Sequence, residues 1–308
     1  MTKILPGKYV ESFDKTQVFF RLYDKVESPK GMVLLIHGMV EHSARYDAFS
    51  RYLNKNGFVV LTYDQRSHGQ TVKVAEDVGK YRGDLFEDCV CDAMFFANLL
   101  NEKYKLPLIF LGHSYGSFVL QRVIERYKNY SGAVFVGSAC MAKSFEVNFG
   151  LFVAKLTKFF FGKDAKAKLI YKSSFKNYEK NFEDGNWLTR DTKIFEAYKN
   201  DPYCQQICSA NFYYSFFKNL KLTYKKEALS QIEKDKPILI LSGTKDPVGK
   251  FGKLVVKLEN QYKSLGVKDV QMKLFNEGRH EILNETNRDE VWQTVVDFLN
   301  KICVKKSK

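Results

Sequence analysis

Six short apolar runs constrain this chain more than any other feature: "GMVLLIHG", "GFVVLTYD", "PLIFLGHS", "GAVFVGS", "KPILILSG" and "VQMKLFNEG". Several are rich in Val and Ile, and none alternates with polar residues, which is the pattern of strands buried on both faces. Helical patterns separate most of them, such as "LFEDCVCDAMFFANLLNEKY" and "GKLVVKLENQYKSLG". Strand–helix alternation predicts a doubly wound α/β fold, its sheet mostly parallel, with right-handed crossovers and helices on both faces. Near the N-terminus, "KYVESFDKTQVFFRLYD" alternates around Asp14-Lys15 and reads as an antiparallel hairpin. The hairpin brings the expected sheet to eight strands.

The alternation lapses after "GAVFVGS". From Cys140 to about Asp235 the chain carries helical patterns and no convincing strand. An insertion of this length on an α/β core is expected to form a lid or substrate module. The expected organisation is therefore a core of residues 1–138 and 236–308, with a helical cap over 139–235. Within "FEVNFGLFVAKLTKFF", apolar residues fall at 145, 149, 152, 153, 156, 159 and 160, the stripe of an amphipathic helix. Seven lysines (143, 155, 158, 163, 166, 168 and 172) share this segment with Glu146 and Asp164. Two readings follow. Either the stripe packs down onto the core while the lysines are solvated, or the cap docks on an anionic lipid surface.

The 308 residues carry a net charge of +14. No basic segment interleaves with aromatics as in a nucleic-acid module, so a nucleic-acid partner is not expected. The terminal "KKSK" reads as a solvated tail. The six cysteines form no pair of CxxC motifs, which argues against a zinc site and for reduced thiols in a cytoplasmic protein. Cys204 and Cys208, four apart, are placed to share a helix face. "MTKILPGKYVESFDK" lacks the apolar run of a signal peptide, and no window approaches a membrane span.

Chemistry concentrates where the apolar runs end. "FLGHSYGS" holds Gly112-His113-Ser114-Tyr115-Gly116, a G-x-S-x-G between a strand and the helical "SFVLQRVIERY". That context is a nucleophile elbow: a sharp turn holds Ser114 in a strained backbone, and flanking glycines remove clashing side chains. A serine hydroxyl needs a base, and the base needs a carboxylate to hold its tautomer. His280 is the one histidine after Ser114. Asp246 follows "PILILSG" at the edge where Ser114 and His280 lie. Asp64 precedes the serine, and Asp269 begins a strand at the opposite edge. Acyl transfer also needs N–H donors for the oxyanion. Tyr115 supplies one, and Gly38 lets the loop after "LLIH" turn so that Met39 supplies the second. Glu41 and Arg45, four apart, are spaced to pair. His37 and His42 have no third ligand in the sequence, so neither a metal nor an organic cofactor is expected.

These motifs resemble the monoacylglycerol lipase and lysophospholipase group of the α/β-hydrolase superfamily, which is also catalogued with the serine aminopeptidases. "HGMVEHSARY" is similar to the group's H-G-x-x-E-H-S-x-R-Y, "GHSYGS" to its G-H-S-x-G, and "GTKDPVG" and "GRHEILNE" to its acid and base motifs. The likeness covers Met32 to Gly137 and Pro237 to the C-terminus. It implies Ser114, Asp246 and His280 as a triad, Met39 and Tyr115 as oxyanion donors, and a helical cap after the sixth core strand. "YDQRSHGQT" only approximates the group's D-x-R-x-H-G-x-S, and the cap matches no pattern, which leaves substrate identity open. The H-G-G-P-G of prolyl aminopeptidases is absent.

The expected activity is hydrolysis of carboxylic esters with an apolar acyl chain, monoacylglycerol or lysophospholipid foremost, through an acyl-enzyme. The alternative is a short-chain carboxylesterase. Acyl transfer to another alcohol and a silent binding protein rank below both. The sequence is silent on oligomeric state.

Overall fold

The computed structural model describes residues 5–204 and 206–305. The first four residues of the stretch read for a leader, and the last three of the Lys-rich tail, lie outside the described residues.

Eight strands form one sheet in the order β1-β2-β4-β3-β5-β6-β7-β8. β1 (Lys8–Glu11) and β2 (Gln17–Tyr23) are the expected hairpin, with Glu11 opposite Gln17. β2 pairs antiparallel with β4 (Phe58–Tyr63), and the remaining ladders are parallel. β3 (Gly31–Ile36), β4, β5 (Leu108–His113), β6 (Gly132–Val136) and β7 (Ile238–Gly243) are buried along their whole length. β8 (Val270–Phe275) closes the far edge and is half-buried.

Burial on both faces explains the unbroken apolar runs. Met32, Leu34 and Ile36 join one cluster with α2 (Leu85–Tyr104), α3 (Tyr115–Arg126) and α10 (Lys253–Ser264). Val33 and Leu35 point the other way, against α1 (Asp47–Lys55) and α11 (Arg288–Lys305). The period-2 alternation of a strand does the sorting.

Among the described residues, the elements between β6 and β7 are helices: α4 (Phe145–Phe161), α5 (Lys168–Ser173), α6 (Phe175–Glu179), α7 (Thr192–Lys199), α8 (Ala210–Thr223) and α9 (Lys226–Leu229), with one isolated bridge from Lys166 to Ser209. Ser144 caps α4 by accepting from the Val147 N–H, and Ser209 caps α8 through Phe212. α4 packs on α8, which packs on α2. The buried face of α4 is Val147, Gly150, Val153 and Ala154. Of the stripe read from the sequence only Val153 is buried; Phe145, Phe149, Phe152, Leu156, Phe159 and Phe160 are exposed. Nor are the lysines uniformly solvated. Lys158 donates to Asn211 at 2.8 Å and lies 4.3 Å above the Tyr214 ring. Cys204 and Cys208 occupy the connection from α7 to α8, so they share no helix face. No helix among the described residues is long and apolar enough to cross a membrane.

Candidate active site

β5 ends at His113 and α3 begins at Tyr115, leaving Ser114 as the whole turn, at φ 50° and ψ −119°. That is costly for a residue with a side chain. The Ser114 N–H donates to the Val136 carbonyl at 2.9 Å. The flanking glycines are required by close approach rather than by their own dihedrals. A Cβ on Gly116 would lie 2.3 Å from the Ile36 carbonyl oxygen, and one on Gly112 would lie 2.6 Å from the Gly116 carbonyl oxygen.

His280 lies five residues past β8, and its Nε2 is 2.8 Å from Ser114 Oγ. Its Nδ1 is 2.9 Å from Asp246 Oδ1. Both partners are buried, with His280 2% exposed and Asp246 fully enclosed. Asp246 also accepts from Ser242 Oγ at 2.9 Å and from the Val248 N–H at 2.9 Å. Burial pushes its carboxyl up, but the charge of His280 and these hydrogen bonds outweigh burial and hold it below the usual range. A carboxylate there favours Nδ1–H on His280 and leaves Nε2 to accept from the serine hydroxyl. Asp246 does not cap α10, whose N-cap is Gly252. Asp64 accepts from the Ser43 and Gln70 N–H groups, and Asp269 pairs with Lys301, so both are engaged away from Ser114.

The loop after β3 is held by Glu41. Its Oε1 accepts from the Gly38 N–H and, at 2.7 Å, from Tyr46, while Oε2 accepts from Arg45 at 2.6 Å. Burial raises the Glu41 carboxyl, yet the hydrogen bond with His113 and the charge of Arg45 hold it well below the usual range. Burial pushes the His113 imidazole down, and Glu41 at 3.1 Å more than reverses that. A Cβ on Gly38 would sit 3.2 Å from Ser114 Cβ, so the loop backbone runs directly beside the serine. Met39 and Ser114 share the walls of two cavities. Both ring nitrogens of His37 are occupied, Nδ1 by the Gly38 carbonyl at 2.7 Å and Nε2 by the Gln65 N–H at 2.9 Å. Burial pushes that imidazole below its usual range. "YDQRSHGQT" is likewise structural: Arg66 is buried between Asp92 and Asp14, with 2.7 Å contacts to each.

The larger cavity, about 260 Å³, runs from Ser114 beneath α4 and is walled by Val147, Val153, Ile170, Tyr213, Phe216 and Leu220 among others. A second recess, of about 30 Å³, also opens on Ser114 and is bounded by Gly38, Glu41, Trp187, His280 and Glu281 among others. Two of these contributors carried no local signal. The Trp187 ring lies against His280, tilted by 33° with 5.0 Å between centroids. Its carbonyl accepts from the His280 N–H at 3.3 Å. Glu281 holds Arg45 through two 2.7 Å contacts across 236 positions.

The family model Hydrolase_4, described as "Serine aminopeptidase, S33", matches residues 27–287. The monoacylglycerol lipase of Mycolicibacterium smegmatis is 25% identical over 289 residues, 92% of each chain. A thermostable carboxyl esterase from Bacillus coagulans, solved in complex with glycerol, superposes with a TM-score of 0.85 at 24% identity, over 98% of this chain and 100% of that one. A soluble variant of monoglyceride lipase from Saccharomyces cerevisiae, in complex with a substrate analog, gives 0.75 at 21% identity, over 98% and 96%. The eight-stranded sheet is thus the α/β-hydrolase fold, and with more than half its length matched by the family model, the chain belongs to the Hydrolase_4, or serine aminopeptidase S33, family.

Proposed function

We propose that this chain, a carboxylic ester hydrolase, cleaves monoacylglycerol-like or lysophospholipid-like esters through an acyl-enzyme, with residues 139–235 acting as a cap. Ser114 Oγ attacks the ester carbonyl, and His280 Nε2 takes its proton. The N–H groups of Met39 and Tyr115 hold the oxyanion, and Asp246 holds the imidazolium. His280 then protonates the departing alcohol. Water repeats the sequence on the acyl-enzyme and releases the fatty acid.

The observation that carries the substrate class is the pair of cavities that meet at Ser114: a large apolar one of about 260 Å³ and a small one of about 30 Å³ whose walls include Glu41, His113, His280 and Glu281. The acyl chain takes the first and a compact alcohol the second. The similarity to a monoacylglycerol lipase supports an ester of this class. The test is a p-nitrophenyl ester series on fluorophosphonate-titrated protein. Each buried CH₂ is worth about 0.8 kcal/mol, so kcat/KM rises up to roughly fourfold per carbon until the cavity is full. A preference for acetyl over octanoyl esters overturns this reading in favour of a short-chain carboxylesterase.

The enzyme works in the cytoplasm, with its cap resting on anionic membrane. Cys89, Cys91, Cys140, Cys204 and Cys208 are free thiols, which suits a reducing compartment. Phe159, Phe160 and Phe161 are 79%, 68% and 76% exposed beside exposed Lys155, Lys163, Lys166 and Lys168. Each lysine near such a surface contributes about 1 kcal/mol, screened by salt. Co-sedimentation with phosphatidylglycerol vesicles at low salt, lost at high salt and on changing Lys155, Lys163 and Lys166 to Glu, is the expected result. No binding at low salt refutes the contact.

A further inference from the structure

His42 follows the oxyanion loop, whereas Asp201 and Cys204 lie in the cap after α7. A ring nitrogen of His42, a carboxylate oxygen of Asp201 and Sγ of Cys204 all lie within 4.8 Å of one another. We infer that these three side chains form a zinc-type divalent cation site that fastens the cap to the core beside the active site.

Imidazole, carboxylate and thiolate are the donor types that zinc takes, at about 2.0–2.3 Å each. Ligand atoms around a tetrahedral zinc then lie about 3.3–3.8 Å apart. His42 Nε2 and Asp201 Oδ2 are now hydrogen-bonded at 2.8 Å, so that pair opens by about half an ångström, and the thiol closes by about one. Asp201 is already oriented for this. Its Oδ1 accepts from the Tyr203 N–H at 2.9 Å, which turns Oδ2 toward His42. The Cys204 side chain is buried yet forms part of the wall of a separate surface cavity of about 170 Å³, which gives an ion an entry path. Arg45 is the nearby cation, and Glu41 and Glu281 already answer its charge. Asp201 is left as the excess negative charge. On binding, the Cys204 thiol gives its proton to solvent and the S–metal bond forms; the proton that His42 Nε2 now donates to Asp201 leaves that nitrogen, passing through solvent to Nδ1, so that Nε2 binds the ion with Nδ1–H outward. Water fills the fourth position.

The test uses Co²⁺ in place of zinc on the purified full chain at pH 7.5. The expected result is one ion per chain with a thiolate-to-cobalt absorption band. Cys204→Ser loses the band, and Asp201→Asn and His42→Gln weaken binding at least about tenfold. Cys208→Ser and Cys91→Ser retain it. Circular dichroism melts establish that each variant is folded, and Zn²⁺ raises the wild-type Tm but not that of Cys204→Ser. Absence of the band, its survival in Cys204→Ser, or equal Tm shifts in both proteins overturns the site. Ser114-dependent esterase activity is unaffected by the outcome of the cobalt titration, so failure here is separable from failure of the proposed function.

Discussion

Glu41→Gln is the perturbation that best tests how the serine's surroundings are held. The glutamine keeps the shape of the side chain and removes its charge. Glu41 now accepts from the Gly38 N–H and Tyr46 on one oxygen and from Arg45 on the other. An amide has one oxygen, so either orientation sets an NH₂ donor against another donor. Arg45 keeps its two contacts with Glu281, so its charge is not stranded, and His113, no longer held up by Glu41, falls back toward the neutral imidazole that burial favours. That holds the loss below the roughly 3–5 kcal/mol of a broken buried ion pair. One charge-assisted hydrogen bond, about 1.5–3 kcal/mol, is the better measure of the fall in stability. The kinetic effect passes through the backbone. Gly38 precedes Met39, the proposed oxyanion donor, and removing such a donor outright costs about 10²–10³ in kcat. Here the donor is shifted rather than deleted, so kcat falls about 10- to 100-fold. KM stays near the wild-type value, because the donor matters most to the charge that develops in the transition state. The assays are p-nitrophenyl butyrate kinetics and guanidinium melts. A variant that loses stability as expected but keeps kcat within about threefold of wild type breaks the link from Glu41 to the oxyanion loop.

Ser114→Ala loses on the order of 10⁶ in kcat together with all fluorophosphonate labelling, and turnover within about tenfold of wild type refutes its role. Ser114→Gly is equally inactive yet about 1 kcal/mol more stable in guanidinium melts, because glycine relieves the φ of 50°. Val147→Phe fills part of the cavity and shifts the preferred acyl chain shorter by roughly two carbons; an unchanged optimum in the ester series places the chain elsewhere. Burial pushes the Glu125 carboxyl up to about 8, with Arg122 offsetting only part of it. A raised acid binds its proton more tightly when folded, so this site's contribution is present below pH 4.5 and lost as pH rises through 8. Glu125→Gln therefore gains on wild type, by about 5 kcal/mol at pH 9 and almost nothing at pH 4.5, and a pH-independent difference in thermal melts counts against it.

The residues proposed for the chemistry were legible because each sits a few positions past the end of a strand that announces itself. Gly38, Ser114, Asp246 and His280 follow β3, β5, β7 and β8 in turn. In a parallel sheet those ends share one edge, so local patterns already place the four together. Trp187 beside His280, Glu281 on Arg45, and the meeting of His42 with Asp201 and Cys204 were not legible. They join positions far apart in the chain through helix packing, and no periodicity encodes such contacts. The Glu41–Arg45 pair is the intermediate case: its spacing showed the pairing, while its grip on the Gly38 N–H needed coordinates.

α4 shows why the proposed cap is harder to read, and what its surface implies. Two sets of positions fit helical spacing: 145, 149, 152, 156, 159 and 160, and 147, 150, 153 and 154. Both are apolar because the helix is apolar nearly all round, so periodicity alone cannot say which set packs. Size decides. Gly150 and Ala154 let α4 approach α8 closely; a Cβ on Gly150 would already lie 2.5 Å from the Phe217 ring. The phenylalanines cannot enter that interface and are turned outward. The outward face then carries Phe145, Phe152, Phe159 and Phe160, and exposed Phe161 and Leu169 follow at the end of α4 and in α5. Soluble monomers rarely leave so much contiguous apolar surface uncovered. The membrane contact proposed above needs no fitted partner to cover it, and the exposed lysines beside it favour an anionic surface. The substrate proposed here partitions into the same phase, and the cavity beneath α4 leads from that face to Ser114. The helix face that confounds the sequence reading is therefore the one best placed to bring an insoluble ester to the serine.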